Sequence, residues 1–177
     1  MSQTGGVRYL AIVRHAKAER NSSDGSDFAR ELNSKGRRQC RQLRIWASDE
    51  HELGRFGPTT ALVSSAARTR QTFRDAFEGT PFVASHQEST LIYNGLRHVS
   101  AEDVLIDLAG IDPVTTSLMV VGHNPTVLDL LVMLSADLPS ELSLEYPLAG
   151  TYVLELHDDE PIGPGPYRFV TRYVPEV

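Results

Sequence analysis

The chain has 177 residues, with 17 basic against 23 acidic side chains and a net charge of −6. That length suffices for a single domain, residues 1–177, which can bury a full core without disulfides or structural metal, and the acidic balance argues against a general nucleic-acid partner. The sole cysteine, Cys40, excludes an internal disulfide framework and any multi-cysteine zinc site, and fits a reducing compartment. Met1 to Gly6 are polar and are followed by only seven mostly apolar residues, too few for a signal peptide. No apolar run reaches membrane-spanning length, so the chain reads as soluble, cytoplasmic and without a membrane partner.

Along the chain, strand-like apolar runs alternate with amphipathic helical segments, the pattern of a three-layer α/β/α sandwich with a mostly parallel central sheet. Val7–Val13 reads as the first strand, followed by a long polar loop holding Asn21 to Asp27. Asn33 or Ser34 caps a helix carrying Leu43, Trp46, Ala47 and Leu53, which Gly54 ends, and Lys35, Arg37, Arg38, Arg41 and Arg44 form its basic face. Thr60–Ser64 reads as a strand and Ala67–Phe77 as a helix with Phe73 and Phe77 toward the core. Phe82–Ala84 is a short strand, Ala101–Leu108 a helix burying Val104, Leu105 and Leu108, Ser117–Gly122 a buried strand and Thr126–Leu134 a helix. Thr151–Leu156 and Arg168–Val174 read as two strands joined by a turn holding Pro161, Gly163, Pro164, Gly165 and Pro166. Glu141 to Leu148 read equally as loop or strand, and Tyr146 and Tyr152 as packing.

Three strands end in polar, chemically competent residues: Arg14-His15, Ser64-Ser65 leading to Arg68, and Gly122-His123-Asn124. A parallel sheet gathers the C-terminal ends of its strands along one edge, so these residues converge near helix N-termini that favour an anion. Two arginine forks donate paired hydrogen bonds to phosphate oxygens and absorb charge during transfer, which implies a phosphoryl ligand. A neutral imidazole is a competent nucleophile near pH 7 and needs no metal. His15 is the expected nucleophile, one ring nitrogen attacking phosphorus while the other donates to a backbone carbonyl. His123 would stabilise the phosphoryl oxygens, with Asn124 a further substrate contact and Gly122 allowing backbone to approach the ligand. No cofactor is implied, and the scattered histidines give little support for a metal site.

Arg14-His15-Ala16-Lys17-Ala18, the stretch Ser26 to Arg37, Ser64 to Thr72, and Val121-Gly122-His123-Asn124-Pro125 together resemble the motifs of the histidine phosphatase superfamily, in order and spacing. Within it the chain is most similar to the small SixA-type phosphohistidine phosphatases, over nearly its whole length. The resemblance implies a phosphoglycerate mutase-like fold, His15 as phosphoryl acceptor, Arg14, Arg68 and His123 as the phosphate pocket, and Arg30 as an additional substrate-binding arginine on the long loop.

One departure bears on the substrate. Ester-acting members of the superfamily usually carry a glutamate after the third strand to protonate a leaving alkoxide, whereas the matching stretch here, Leu91-Ile92-Tyr93-Asn94, has none. An imidazole leaving a phosphoramidate is far less basic and needs little help, so the gap favours a phosphohistidine substrate. Glu88, Asp27 and Glu102 are the candidate acids should one be present. The chain has little spare length for a lid, which suits a phosphorylated protein such as a histidine phosphotransfer domain, and the basic helix face could steer such a partner. The alternatives are a small phosphate ester as substrate of a phosphatase or mutase, and a non-catalytic module that binds phosphorylated ligands.

Overall fold

The computed structural model describes residues 7–93, 98–111, 117–138, 146–156 and 161–176 of the chain. A six-stranded sheet runs through it, built from β1 (Arg8–Arg14), β2 (Thr59–Ser64), β3 (Val83–Ser89), β4 (Ser117–Gly122), β5 (Thr151–Leu156) and β6 (Arg168–Tyr173), in the order β3-β2-β4-β1-β5-β6. Strands β1 to β4 are parallel, while β5 pairs antiparallel with β1 and β6 antiparallel with β5. Four helices, α1 (Ser34–Ser48), α2 (Ala67–Ala76), α3 (Ala101–Ala109) and α4 (Thr126–Leu134), complete the regular elements among the described residues, with one short 3-10 turn at Leu53–Phe56.

Alternation along β1 explains the layering. Leu10 and Ile12 point into a core shared with Val104 and Leu108 of α3 and Leu130 and Leu131 of α4, whereas Ala11 and Val13 point into one shared with Cys40 and Leu43 of α1 and Phe73 of α2. A strand covered on both faces has no polar side, so β1 and β4 read as continuous apolar runs. Phe77, fully buried, caps the C-terminal end of α2. Among the described residues no helix is long and apolar enough to cross a membrane.

The expected elements are present, with differences at their ends. The Asn33 side chain caps α1 by accepting from Gly36 N–H at 2.9 Å, but α1 ends at Ser48 rather than running to Gly54. Asp49 ends it by accepting from His51 N–H at 2.8 Å, a local turn that competes with another helical residue, and Leu53 reaches the core from the 3-10 turn instead. The third strand is longer than expected because Ser85 to Glu88 are exposed on the sheet edge, so no apolar pattern marks them. Ser100 and Asp103 form a reciprocal capping box on α3. Thr126 opens α4, and its hydroxyl donates to the Val99 carbonyl at 2.7 Å. Asn94 and residues 141–145 lie outside the described residues. Tyr146 and Tyr152 pack as expected, both buried with ring centroids 4.7 Å apart.

The basic face of α1 is not uniform. Arg37 pairs with Asp75 of α2 at 3.7 Å and Arg44 donates to the Glu78 carbonyl at 3.0 Å, while Lys35, Arg38 and Arg41 remain at least partly exposed.

Candidate active site

Because β4 lies between β1 and β2, the residues following these three strands meet at one edge of the sheet. A pocket of about 290 Å³ is lined there by Arg14, His15, Lys17, Ala18, Arg30, Arg68, His123, Asn124 and Leu148. All six residues expected to contact a phosphoryl group are therefore brought together. None of the lining residues is a carboxylate among the described residues.

The backbone of His15 is held from both sides: its N–H donates to the Gly122 carbonyl at 3.1 Å and its carbonyl accepts from Ala149 at 3.2 Å. Ala149 adopts φ +56°, a left-handed conformation costly for a residue with a Cβ, in the turn that buttresses His15. The His15 side chain is fixed by Nδ1, 2.8 Å from the Ala16 carbonyl. A carbonyl only accepts, so Nδ1 carries the proton and Nε2 carries the lone pair. Burial above all, with the charges of Arg68, Arg14 and Arg30 adding to it against the opposing Ala16 hydrogen bond, pushes the His15 pKa down from 6.5 to about 3. The imidazole is thus neutral throughout the physiological range.

His123 lies beside it, with ring centroids 5.2 Å apart. Its Nε2 is 2.7 Å from Ser64 Oγ, while the buried Nδ1 has no protein partner among the described residues. Burial first, then the neighbouring His15 and Arg68, lower its pKa from 6.5 to about 2. The Asn124 Oδ1 is likewise buried without a partner among the described residues. Of these two atoms only the His123 ring nitrogen can carry a proton for an anionic oxygen, since an amide oxygen only accepts. At Gly122 a Cβ would stand 3.0 Å from Val127 Cγ1, so the glycine makes room for α4.

The arginines are anchored by oxygen atoms. Arg14 Nη1 donates to the Tyr146 carbonyl at 2.5 Å, and Arg30 Nε to the Glu19 carbonyl at 2.8 Å. Arg68, nearly fully buried at the start of α2, donates to both the carbonyl and the carboxylate of Asp27. Gly36 docks α1 against the same region, since a Cβ there would fall 2.1 Å from the Lys17 carbonyl oxygen.

The candidate acids fare differently. Glu88 is not at this pocket; it lines another cleft, with Arg70 at 3.9 Å, because the β3 edge strand carries it away. Glu102 is exposed in the first turn of α3 and lines neither cleft. Asp27 is adjacent to Arg68, yet although burial works to raise its pKa, hydrogen bonds from Arg30, Tyr93 and Arg68 and the Arg68 charge hold it well below the usual carboxylate range. An acid must hold a proton to give one, and Asp27 does not.

Sequence reasoning missed several contributors. Tyr93 stands in the very stretch searched for a glutamate, its hydroxyl 2.9 Å from Asp27 Oδ2 and its ring 5.4 Å from that of His123. Lys17 and Leu148 line the pocket, and the Tyr146 carbonyl holds Arg14. Only the position of Lys17, two residues past His15, offered a signal. Among the described residues no group of three or more His, Cys, Asp or Glu is placed to hold a metal ion.

No sequence-family model matches the chain, and no curated protein does. Solved structures do match. A candidate phosphohistidine phosphatase, SixA, from Agrobacterium tumefaciens superposes with a TM-score of 0.72 at 28% identity, covering 95% of this chain and 98% of its own. The protein histidine phosphatase SixA complexed with tungstate gives 0.71 at 21% identity, covering 94% and 96%. A phosphoglycerate mutase from Thermus thermophilus gives 0.58 at 14% identity, covering 95% and 99%, a likeness of fold alone. By this fold, carried through to the side chains assembled at the edge of its sheet, the chain is similar to the SixA phosphohistidine phosphatase structures.

Proposed function

We propose that the protein is a metal-independent phosphatase that hydrolyses phosphohistidine, borne on a protein such as a histidine phosphotransfer domain, through a covalent intermediate on His15. The observation that carries this reading is the His15 imidazole, kept neutral and pinned through Nδ1 to the Ala16 carbonyl so that Nε2 is the nucleophilic nitrogen, in a pocket with Arg14, Arg30, Arg68 and His123. Similarity to SixA-type structures supports the same conclusion.

In the first step the Nε2 lone pair forms a bond to phosphorus and the P–N bond of the substrate breaks. Its electron pair returns to the departing ring, which leaves as neutral imidazole when its other nitrogen carries a proton. The three guanidinium groups balance the phosphoryl oxygens. His123 adds a donor: with the Ser64 hydroxyl donating to Nε2, the proton resides on the otherwise unpartnered Nδ1 and is available to an oxygen. In the second step water attacks phosphorus, the phospho-His15 bond breaks, and inorganic phosphate leaves with His15 again neutral. The leaving imidazole needs no general acid, which accords with a pocket lined by cations and imidazoles.

The test compares rates, in chelator, on a phosphohistidine-bearing phosphotransfer protein and on a panel of small phosphate esters, with His15→Ala as control. Fast loss of phosphate from the protein, dependent on His15, is expected. Preference for an ester would overturn the substrate class, and full activity of His15→Ala would overturn the mechanism.

A further inference from the structure

Asp27, in the loop between β1 and α1, joins three separate parts of the chain around the pocket. Its backbone carbonyl accepts from Arg68 Nη1 at 2.7 Å and its Oδ2 from Arg68 Nη2 at 2.9 Å, so one residue grips both arms of the guanidinium fork. Its Oδ1 accepts from Arg30 Nη1 at 2.7 Å, and Oδ2 accepts also from the Tyr93 hydroxyl at 2.9 Å. Arg68 is buried, whereas the Asp27 side chain is 51% exposed and does not line the pocket.

The geometry points to Asp27 as the positioning residue of the phosphoryl pocket, fixing the orientation of Arg68 and Arg30 while Tyr93 fixes the carboxylate in turn. The inference rests on the phosphatase reading above. A guanidinium presents five N–H donors in a rigid plane, so two bonds to Asp27 set the plane of Arg68 and leave three donors for phosphoryl oxygens. A long arginine side chain loses rotamer freedom when ordered, and Asp27 meets that cost before substrate arrives. Bonding from Arg30, Tyr93 and Arg68 keeps the carboxylate ionised, as a clamp on two cations requires.

Three roles for Asp27 give different outcomes on substitution. A carboxylate acting only as a nearby negative charge repels a phosphoryl group, so its removal would tighten oxyanion binding. A proton donor would matter most for basic leaving groups. A positioning residue predicts weaker oxyanion binding and a rate loss that is the same for every leaving group.

The experiment titrates the wild-type protein and Asp27→Asn with tungstate by calorimetry, and measures kcat and KM on aryl phosphates whose phenols span a range of acidity. We expect Asp27→Asn to weaken tungstate binding about tenfold and to lower kcat/KM about tenfold across the whole series. Unchanged or tighter tungstate binding, or a loss that steepens with leaving-group basicity, overturns the inference. Should Asp27→Asn melt unlike the wild type, Tyr93→Phe carries the test: it removes one donor to Oδ2 and should weaken tungstate binding about twofold to threefold, and no change overturns the inference. A wild-type protein that neither binds tungstate nor turns over overturns the phosphatase reading itself, an outcome distinct from either variant result.

Discussion

Two clefts on this molecule share α2 as a wall, and the larger is not the phosphoryl pocket. The cleft along α2 and β3 has a volume of about 410 Å³ and is lined by Arg70 and Arg74 together with Glu31, Glu78 and Glu88. The pocket at the ends of β1, β4 and β2 is smaller, about 290 Å³, and sets Arg14, Lys17, Arg30 and Arg68 beside two histidines with no carboxylate among its described lining residues. In the first cleft three carboxylates face two arginines, and Arg70 pairs with Glu88 at 3.9 Å within the lining itself. In the second, Arg68 and Arg30 share one carboxylate partner, Asp27, and it stands outside the pocket lining. Volume alone therefore says little here; positive charge left for an anion, next to desolvated imidazoles, is the reason the smaller pocket is the one proposed for the chemistry.

The contrast is sharpest at His15. His15→Ala should lower phosphohistidine hydrolysis by at least about a thousandfold and abolish acid-labile labelling of the protein by radiolabelled substrate. Persistence of the label would move the nucleophile elsewhere. Arg68→Ala should follow, with a loss of about a hundredfold in kcat/KM, because one preorganised oxyanion donor group is worth a few kcal/mol. A loss in KM alone would confine Arg68 to ground-state binding.

Smaller effects concern the frame around the pocket. Gly36→Ala should destabilise the protein by about 2 kcal/mol in chemical denaturation, since the added methyl meets the Lys17 backbone oxygen and α1 must shift. An unchanged midpoint would show that the α1 contact does not constrain the pocket loop. The buried histidines also make stability pH-dependent. With His15 held near 3 and His123 lower still against 6.5 in the unfolded chain, both states are neutral above pH 6.5, and as pH falls toward 3 the unfolded state takes up protons that the native state refuses. Stability should thus fall with acid over that window, on the order of 1 kcal/mol per pH unit for each histidine, and denaturation of His15→Ala should show a shallower slope. An equal slope would mean that His15 is solvated. At the bottom of the range, Glu88→Gln in the larger cleft should change kcat/KM by less than about twofold, and a large loss there would erase the distinction between the clefts.

The sequence by itself determined the fold class and most of the pocket. Apolar runs of strand length at β1, β2 and β4 mark strands buried on both faces, and the residues just past them must gather at one edge because parallel strands share a direction. Arg14, His15, Arg68 and His123 follow from that rule, with Arg30 carried by resemblance to known motifs. Where the pattern is weak, so was the reading: β3 is an exposed edge strand of polar residues, and the end of α1 depends on the Asp49 turn.

Only the tertiary structure decided what each polar group does. Sequence spacing cannot separate Asp27, Glu88 and Glu102, three carboxylates on different segments. In the fold one is locked in its ionised form between Arg30, Arg68 and Tyr93, one is carried to another cleft by an edge strand, and one remains in a helix's first turn. The same holds for the histidines, whose neutrality comes from burial and from neighbouring guanidinium groups contributed by distant segments. Such roles depend on long-range distance and desolvation, which chain order does not encode locally, whereas periodicity and strand direction are local properties that it does.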